Sequence, residues 1–347
     1  REVSFELFTT VPEVFFHGEL EGRWRLHPVE SDVGLRQHSA LEMDLEATVG
    51  ALDAFREELE ETVPALAVQV RFLGCELVLC DISPLGILVA REARVPSVLL
   101  ENFTWDWIYE PLASKEPGLA EHGAWLGEVF REAAFRIQME PVCRRVPGVP
   151  VAPPVGRAPR RNREEVREAL GIAPGRPTVL ITMGGLGHRL PFLDRLGGVE
   201  ATFLVTALPD GPVPENVIPF RREEPAYLPD LIGASDLVMA KLGYSTVAEI
   251  WLQGRPLLYV ANRRFREVGV LRDFVERDLP SAEMSQEAFD RGEWLGDDAW
   301  LELARAGGSA AAAARTAEAD PERRSGAEAV AEGILKILAG APVGPLP

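Results

Sequence analysis

The residues best suited to chemistry lie between positions 235 and 256. The run SDLVMAKLGYSTVAE spans residues 235–249, and Gly254, Arg255 and Pro256 follow. An apolar, strand-like stretch ends there, Gly243 permits a tight turn, and Ser245 and Thr246 stand where a helix would begin. Free N–H groups and the helix dipole at such a start favour an anion such as a diphosphate. Glu249 lies one turn further in. Simple capping of the helix by Ser245 accounts for the same residues. A second group, MGGLG at residues 183–187, follows the apolar run TVLIT directly. Gly184, Gly185 and Gly187 would let the backbone approach a phosphate and present its N–H groups. A glycine turn with no ligand is the alternative reading.

The other ionisable residues are scattered. His17, His27, His38, His122 and His188 do not cluster in sequence, and a lone histidine is more often structural than catalytic. His188 stands out because it follows the glycine turn. Asp106, between Trp105 and Trp107, could orient a hydroxyl or take its proton. Alternatively the aromatic run packs as a wall and Asp106 pairs locally. Asp81, at the end of an apolar run, either faces a cleft or caps the next helix. Arg263, Arg264 and Arg266 could offset phosphate charge or form a solvated surface. Cys75, Cys80 and Cys143 form no CxxC pair, which argues against a disulfide framework or a zinc knuckle. A reducing cytoplasm fits this usage.

Strands and helices that alternate along the chain must position these groups. VSFELFT at residues 3–9 alternates apolar and polar residues as a strand does. Residues 41–61 carry apolar side chains at helical spacing, among them Leu45, Val49, Leu52 and Phe55. ELVLCD at 76–81, a helix over 85–93 and a strand at 97–100 follow. The stretch VPGVPVAPPVGRAPR, residues 146–160, is too rich in proline for a helix or a central strand and reads as an interdomain linker. Beyond it a helix over 163–170 precedes strands at 178–182, 201–206, 217–220, 236–240 and 256–260. A helix runs from about 245 to 253. An Ala-rich, then charged stretch over 307–324 carries no functional signal, and an amphipathic helix over 327–338 precedes a Pro/Gly tail. Strands interleaved with helices mean βαβ units and parallel sheets, hence an α/β fold. The expected division is an N-terminal domain over 1–150, a linker over 151–160, a second domain over 161–324, and a C-terminal helix and tail over 325–347. Parallel sheets bind ligands beyond the carboxyl ends of their strands, so two of them would face one cleft.

The length of 347 residues suits two domains. A formal net charge of -18 disfavours nucleic acid and anionic membranes as partners. The longest apolar runs are too short to cross a bilayer.

Taken together, the segments resemble the donor site of GT-B glycosyltransferases of the MurG type (family 28-like), which use UDP-sugars. The shared pattern is a strand, a G-Y-S-T turn, a helix carrying Glu249, and a G-x-P before the next strand. The resemblance extends to PAYLPDL at 225–231 and to Phe265, Arg266 and Glu267. In the first half it takes in DVG at 32–34, DLEAT at 44–48 and NFTWDWIY at 102–109. These pieces are similar to a predicted glycosyltransferase branch and to the transferase-like portion that precedes the kinase in L-arabinokinases.

The resemblance covers most of the chain and implies two Rossmann-like domains with parallel sheets facing an interdomain cleft. It implies that Gly184, Gly185 and Gly187 lie near the phosphates, and that Gly243, Tyr244, Ser245 and Thr246 bind the diphosphate. Glu249 would accept from ribose hydroxyls, and Arg266 and Glu267 would approach the donor sugar. It further implies inverting transfer to an acceptor hydroxyl without a bound metal or other cofactor. The catalytic base is unassigned, with Asp106 and His188 as candidates. Relatives open with a strand and a Gly/His-rich loop, whereas this chain opens on what reads as the second strand. The expectation is therefore that a first βα unit lies upstream of Arg1. Two alternatives share the donor site: a non-catalytic nucleotide-sugar binding or regulatory module, and a UDP-sugar epimerase of GT-B fold.

Overall fold

The computed structural model describes residues 3–16, 20, 22–39, 42–184, 190–208, 210–221, 226–305, 324–341 and 344. In the first half, β1 (Ser4–Phe8) and β2 (Arg23–His27) pair in parallel. A short hairpin, β3 (Gln37–Ser39) with β4 (Glu42–Met43), leads into α1 (Leu45–Phe72). Asp44 caps that helix by accepting from the Ala47 N–H at 2.9 Å. Leu52, Phe55, Ala67 and Val70 bury its apolar stripe, at the spacing the sequence displays.

Next come β5 (Val78–Asp81), α2 (Pro84–Ala93), β6 (Ser97–Glu101), α3 (Trp105–Leu112), α4 (Gly118–Arg131), β7 (Phe135–Met139) and β8 (Val151–Ala152). Strands β5 to β8 form a parallel sheet in that order. Among the described residues no strand pairing joins it to β1 and β2. Two residues of the proline-rich stretch, Val151 and Ala152, belong to this sheet as its edge strand. An edge strand needs donors on one side only, so Pro150 and Pro153 beside it do no harm.

The second half opens with α5 (Arg163–Ala169), started by a capping box between Asn162 and Glu165. β9 (Thr178–Thr182), β10 (Thr202–Thr206), β11 (Val217–Phe220), α6 (Leu228–Ala234), β12 (Leu237–Lys241), α7 (Tyr244–Leu252), β13 (Leu257–Val260), α8 (Val268–Asp278), β14 (Ser281–Met284) and α9 (Gln286–Arg291) follow. The sheet is parallel throughout, in the order β11-β10-β9-β12-β13-β14. Pro219 lies on its outermost strand, where the missing donor is tolerated.

This sheet is buried on both faces, which is why its strands read as continuous apolar runs. Alternate side chains supply the two cores. Leu180, Leu204, Val238 and Tyr259 pack on one face with Ile250 and Phe274. Ile181, Phe203, Met239 and Val260 pack on the other with Phe192, Trp294 and Trp300. The C-terminal helix (Gly326–Leu338) returns to the first sheet, where Ala329, Val330 and Ile337 cover Val98, Ile137, Met139 and Ala152.

Candidate functional site

The topology of the second sheet selects the site. β9 comes first in the chain and lies between β10 on one side and β12 on the other. The connections leaving β9 and β12 therefore run to opposite faces, and a crevice opens beyond their carboxyl ends. Such a switch point is where open parallel sheets bind ligands. Ala240 on β12 stands opposite Thr182 on β9, so Gly184 and Gly243 emerge side by side at its mouth.

At that mouth α7 begins with Gly243 as its N-cap, and among the described residues no side chain caps it. Ser245 is exposed rather than folded back on the helix start. Capping by Ser245 is therefore not what the chain adopts, and such a helix start is of the kind that receives anions. A Cβ placed on Gly243 would meet nothing within 4 Å. Gly184 has φ +86, a conformation that favours glycine, and a Cβ there would stand 3.0 Å from Lys241 Cε. The motif reading passed over Lys241, the last residue of β12. Burial lowers its ammonium pKa, and the charge of Glu267 opposes that shift. Burial likewise raises the carboxyl of Glu267, whose Oε2 is buried without a hydrogen-bond partner.

The carboxyl end of the first sheet faces this crevice. Phe103, two residues past β6, packs its ring against Tyr244 at 5.5 Å. The Tyr244 hydroxyl lies 2.9 Å from Cys143 Sγ. Burial pushes the Cys143 thiol up to about 12 and the Tyr244 phenol higher still, so both stay protonated. Arg266 stacks over Trp107 with 4.2 Å to the ring centroid, donates to the Trp107 carbonyl and pairs with Glu110 at 2.6 Å. Deeper in the first half, Trp105 Nε1 donates to Asp32 at 2.9 Å, and Tyr109 donates to the Gly34 carbonyl at 2.6 Å. Burial raises the carboxyl of Asp32, and the charge of Asp81 adds to that effect.

No protein-family model matches the chain. It is 28% identical to an L-arabinokinase of Arabidopsis thaliana over 298 residues, 82% of this chain. It is 35% identical over 118 residues, 28% of this chain, to a bacterial transferase from Halalkalibacterium halodurans. That protein is the UDP-N-acetylglucosamine–N-acetylmuramyl-(pentapeptide) pyrophosphoryl-undecaprenol N-acetylglucosamine transferase. The matches span 28% and 31% of the lengths of these two relatives. Among solved structures, a UDP-glucosyltransferase from Polygonum tinctorium superposes with a TM-score of 0.61 at 14% identity. That superposition covers 97% of this chain and 92% of the other.

The fold is GT-B.

Within the GT-B frame the expected donor residues divide into groups. Gly184, Gly243, Ser245 and Thr246 gather at the switch point. Gly185, Gly187 and His188 lie outside the described residues, as does His17. Tyr244 contributes its backbone there, while its side chain bridges to the first half. Glu249 is only 2% exposed, and its Oε1 accepts from Arg157 Nε at 2.7 Å. Of the arginine cluster, Arg263 pairs with Glu283 at 2.9 Å and Arg266 with Glu110.

Asp106 accepts from Arg144 at 2.5 Å through Oδ2, while its Oδ1 is buried without a hydrogen-bond partner. Ser83, not Asp81, caps α2, accepting from Gly86 N at 3.2 Å. The described histidines are held by carboxylates: His27 by Glu6 at 2.6 Å, His38 by Asp44 at 3.2 Å and His122 by Asp53 at 3.1 Å. Among the described residues no helix is long and apolar enough to cross a membrane.

Proposed function

We propose that this chain is a glycosyltransferase that moves a sugar from a nucleoside diphosphate, UDP, to an acceptor hydroxyl. The observation that carries this reading is the uncapped N-terminus of α7 at the switch point, opposed across the crevice by the aromatic wall of the first half. A diphosphate seated there would meet backbone N–H groups and the positive end of the helix dipole. The bacterial transferase and the Polygonum enzyme both carry UDP in their names, which supports UDP as the nucleotide.

The proposed step is a direct displacement that inverts the anomeric centre. The acceptor oxygen bonds to the anomeric carbon, and the bond from that carbon to the phosphate oxygen breaks. The electron pair leaves on the diphosphate, and the acceptor proton passes to a base. Donors fixed in advance at the leaving group stabilise the charge that develops there, a role that requires no metal. Glu267, with its unspent oxygen, is suited to accept from hydroxyls of the donor sugar.

The match to a protein named as a kinase favours one second reading, a module that binds a nucleotide sugar without turning it over. Calorimetry with UDP and consumption of UDP-sugars by the purified chain test both readings. Binding together with UDP release is the expected result. Binding without release would favour the module, and inversion at C2 of an otherwise intact sugar would identify an epimerase. A chain that binds no nucleoside diphosphate would remove the reading altogether.

A further inference from the structure

Lys115, Lys241 and Lys336 are the only lysines among the 36 basic residues of the chain. Lys115 and Lys336 are exposed. Lys241 is half-buried at the carboxyl end of β12, beside the switch point. Its side chain runs across Gly184, where an added Cβ would stand 3.0 Å from Cε and 3.6 Å from Nζ. A side chain at Gly184 would press on the lysine where it lies over the turn.

Of the nearby arginines, Arg263 is spent on the Glu283 carboxylate and Arg266 on the Trp107 carbonyl and Glu110. Among the described residues Lys241 makes no hydrogen bond and no ion pair; its electrostatic neighbour is Glu267. A partly desolvated ammonium with three unspent donors is a ready partner for an anion at the switch point. Lysine offers phosphate oxygens a compact point charge on a flexible stem.

We propose that Lys241 binds the diphosphate of the nucleotide donor, its ammonium meeting the phosphate oxygens from the β12 side while the first-turn N–H groups of α7 meet them from the other. The inference rests on the donor-site reading above. As the anomeric C–O bond breaks, the electron pair settles on the phosphate oxygen. Lys241 keeps its proton throughout and stabilises that charge.

Calorimetry with UDP and with uridine, on the intact chain and on Lys241→Met and Lys241→Arg, tests the proposal. Lys241→Met is expected to weaken UDP binding about 10- to 100-fold, as for a lost charged hydrogen bond. Uridine affinity should hold, because uridine has no phosphate, and Lys241→Arg should recover part of the loss. Equal UDP affinity in Lys241→Met and wild type overturns the proposal and leaves the donor site standing. A wild type that binds no UDP overturns the donor-site reading itself.

A second measurement needs no variant. Limited acylation with an amine-reactive reagent, mapped by mass spectrometry, should show UDP protecting Lys241 while Lys115 and Lys336 react as before. Acylation of Lys241 that UDP leaves unchanged also overturns the proposal.

Discussion

Glu249 carries two demands that a pair of substitutions can separate. Its carboxylate is buried and joined to Arg157, whose side chain is 45% exposed. A ribose reaching Glu249 would compete with that guanidinium for the same oxygens. Glu249→Ala is expected to weaken UDP binding by about 1–3 kcal/mol, the range for a hydrogen bond to a charged group. Arg157→Ala should bind UDP at least as tightly as wild type, because it frees the acceptor. The same substitution should cost more stability than Glu249→Ala. It strips a guanidinium from a buried carboxylate, whereas Glu249→Ala leaves a half-exposed arginine that water can solvate. Calorimetry and thermal melting of both variants decide the matter, and unchanged UDP affinity in Glu249→Ala would take the residue out of the site.

At the scale of elements, the C-terminal helix is seated by a contact that only glycine permits. A Cβ on Gly326 would stand 2.1 Å from the Pro153 carbonyl oxygen. The Gly326 N–H donates to the Pro154 carbonyl at 2.9 Å, and Ser325 Oγ donates to the Gly156 carbonyl at 3.0 Å. Gly326→Ala should therefore cost about 1–3 kcal/mol, as overpacking does, and loosen the helix from the first sheet. Denaturant melts measure the first effect and amide exchange in β7 and the C-terminal helix the second; a wild-type stability would show that the helix start can shift freely. Local chemistry made β9, β12 and α7 readable in the sequence: apolar runs for strands buried on both faces, glycine at the turns, helical spacing after them. The same chemistry located Gly184, Gly243, Ser245 and Thr246. It was silent on contacts made by approach through space. Arg157 and Glu249 are 92 residues apart and Tyr244 and Cys143 are 101 apart, and no local pattern encodes such pairs. Lys241 carried one legible signal, its rarity, which motif reading does not weigh.

Across the whole molecule, named contacts join the two halves at the crevice. Arg266 reaches over to Trp107 and Glu110, and Tyr244 reaches over to Phe103 and Cys143. The proline-rich connection is fastened to the second half by Arg160 over Tyr227, 3.9 Å to the ring centroid, and by Arg161 on Asp230 at 3.1 Å. Opening of the crevice must therefore break the Arg266 and Tyr244 contacts while the fastened connection moves with the second half. The Arg266 ion pair is partly solvated, with Glu110 66% exposed, so it contributes at most about 1 kcal/mol to stability. Its larger effect should fall on the balance between open and closed forms, where a small free energy suffices to shift populations. Arg266→Ala is expected to melt close to wild type yet show a larger radius of gyration in X-ray scattering. UDP should draw the variant back toward the wild-type radius, because a ligand bound between the halves favours the closed form. Scattering curves that coincide with and without the substitution would mean that Tyr244 and the aromatic wall hold the halves together unaided.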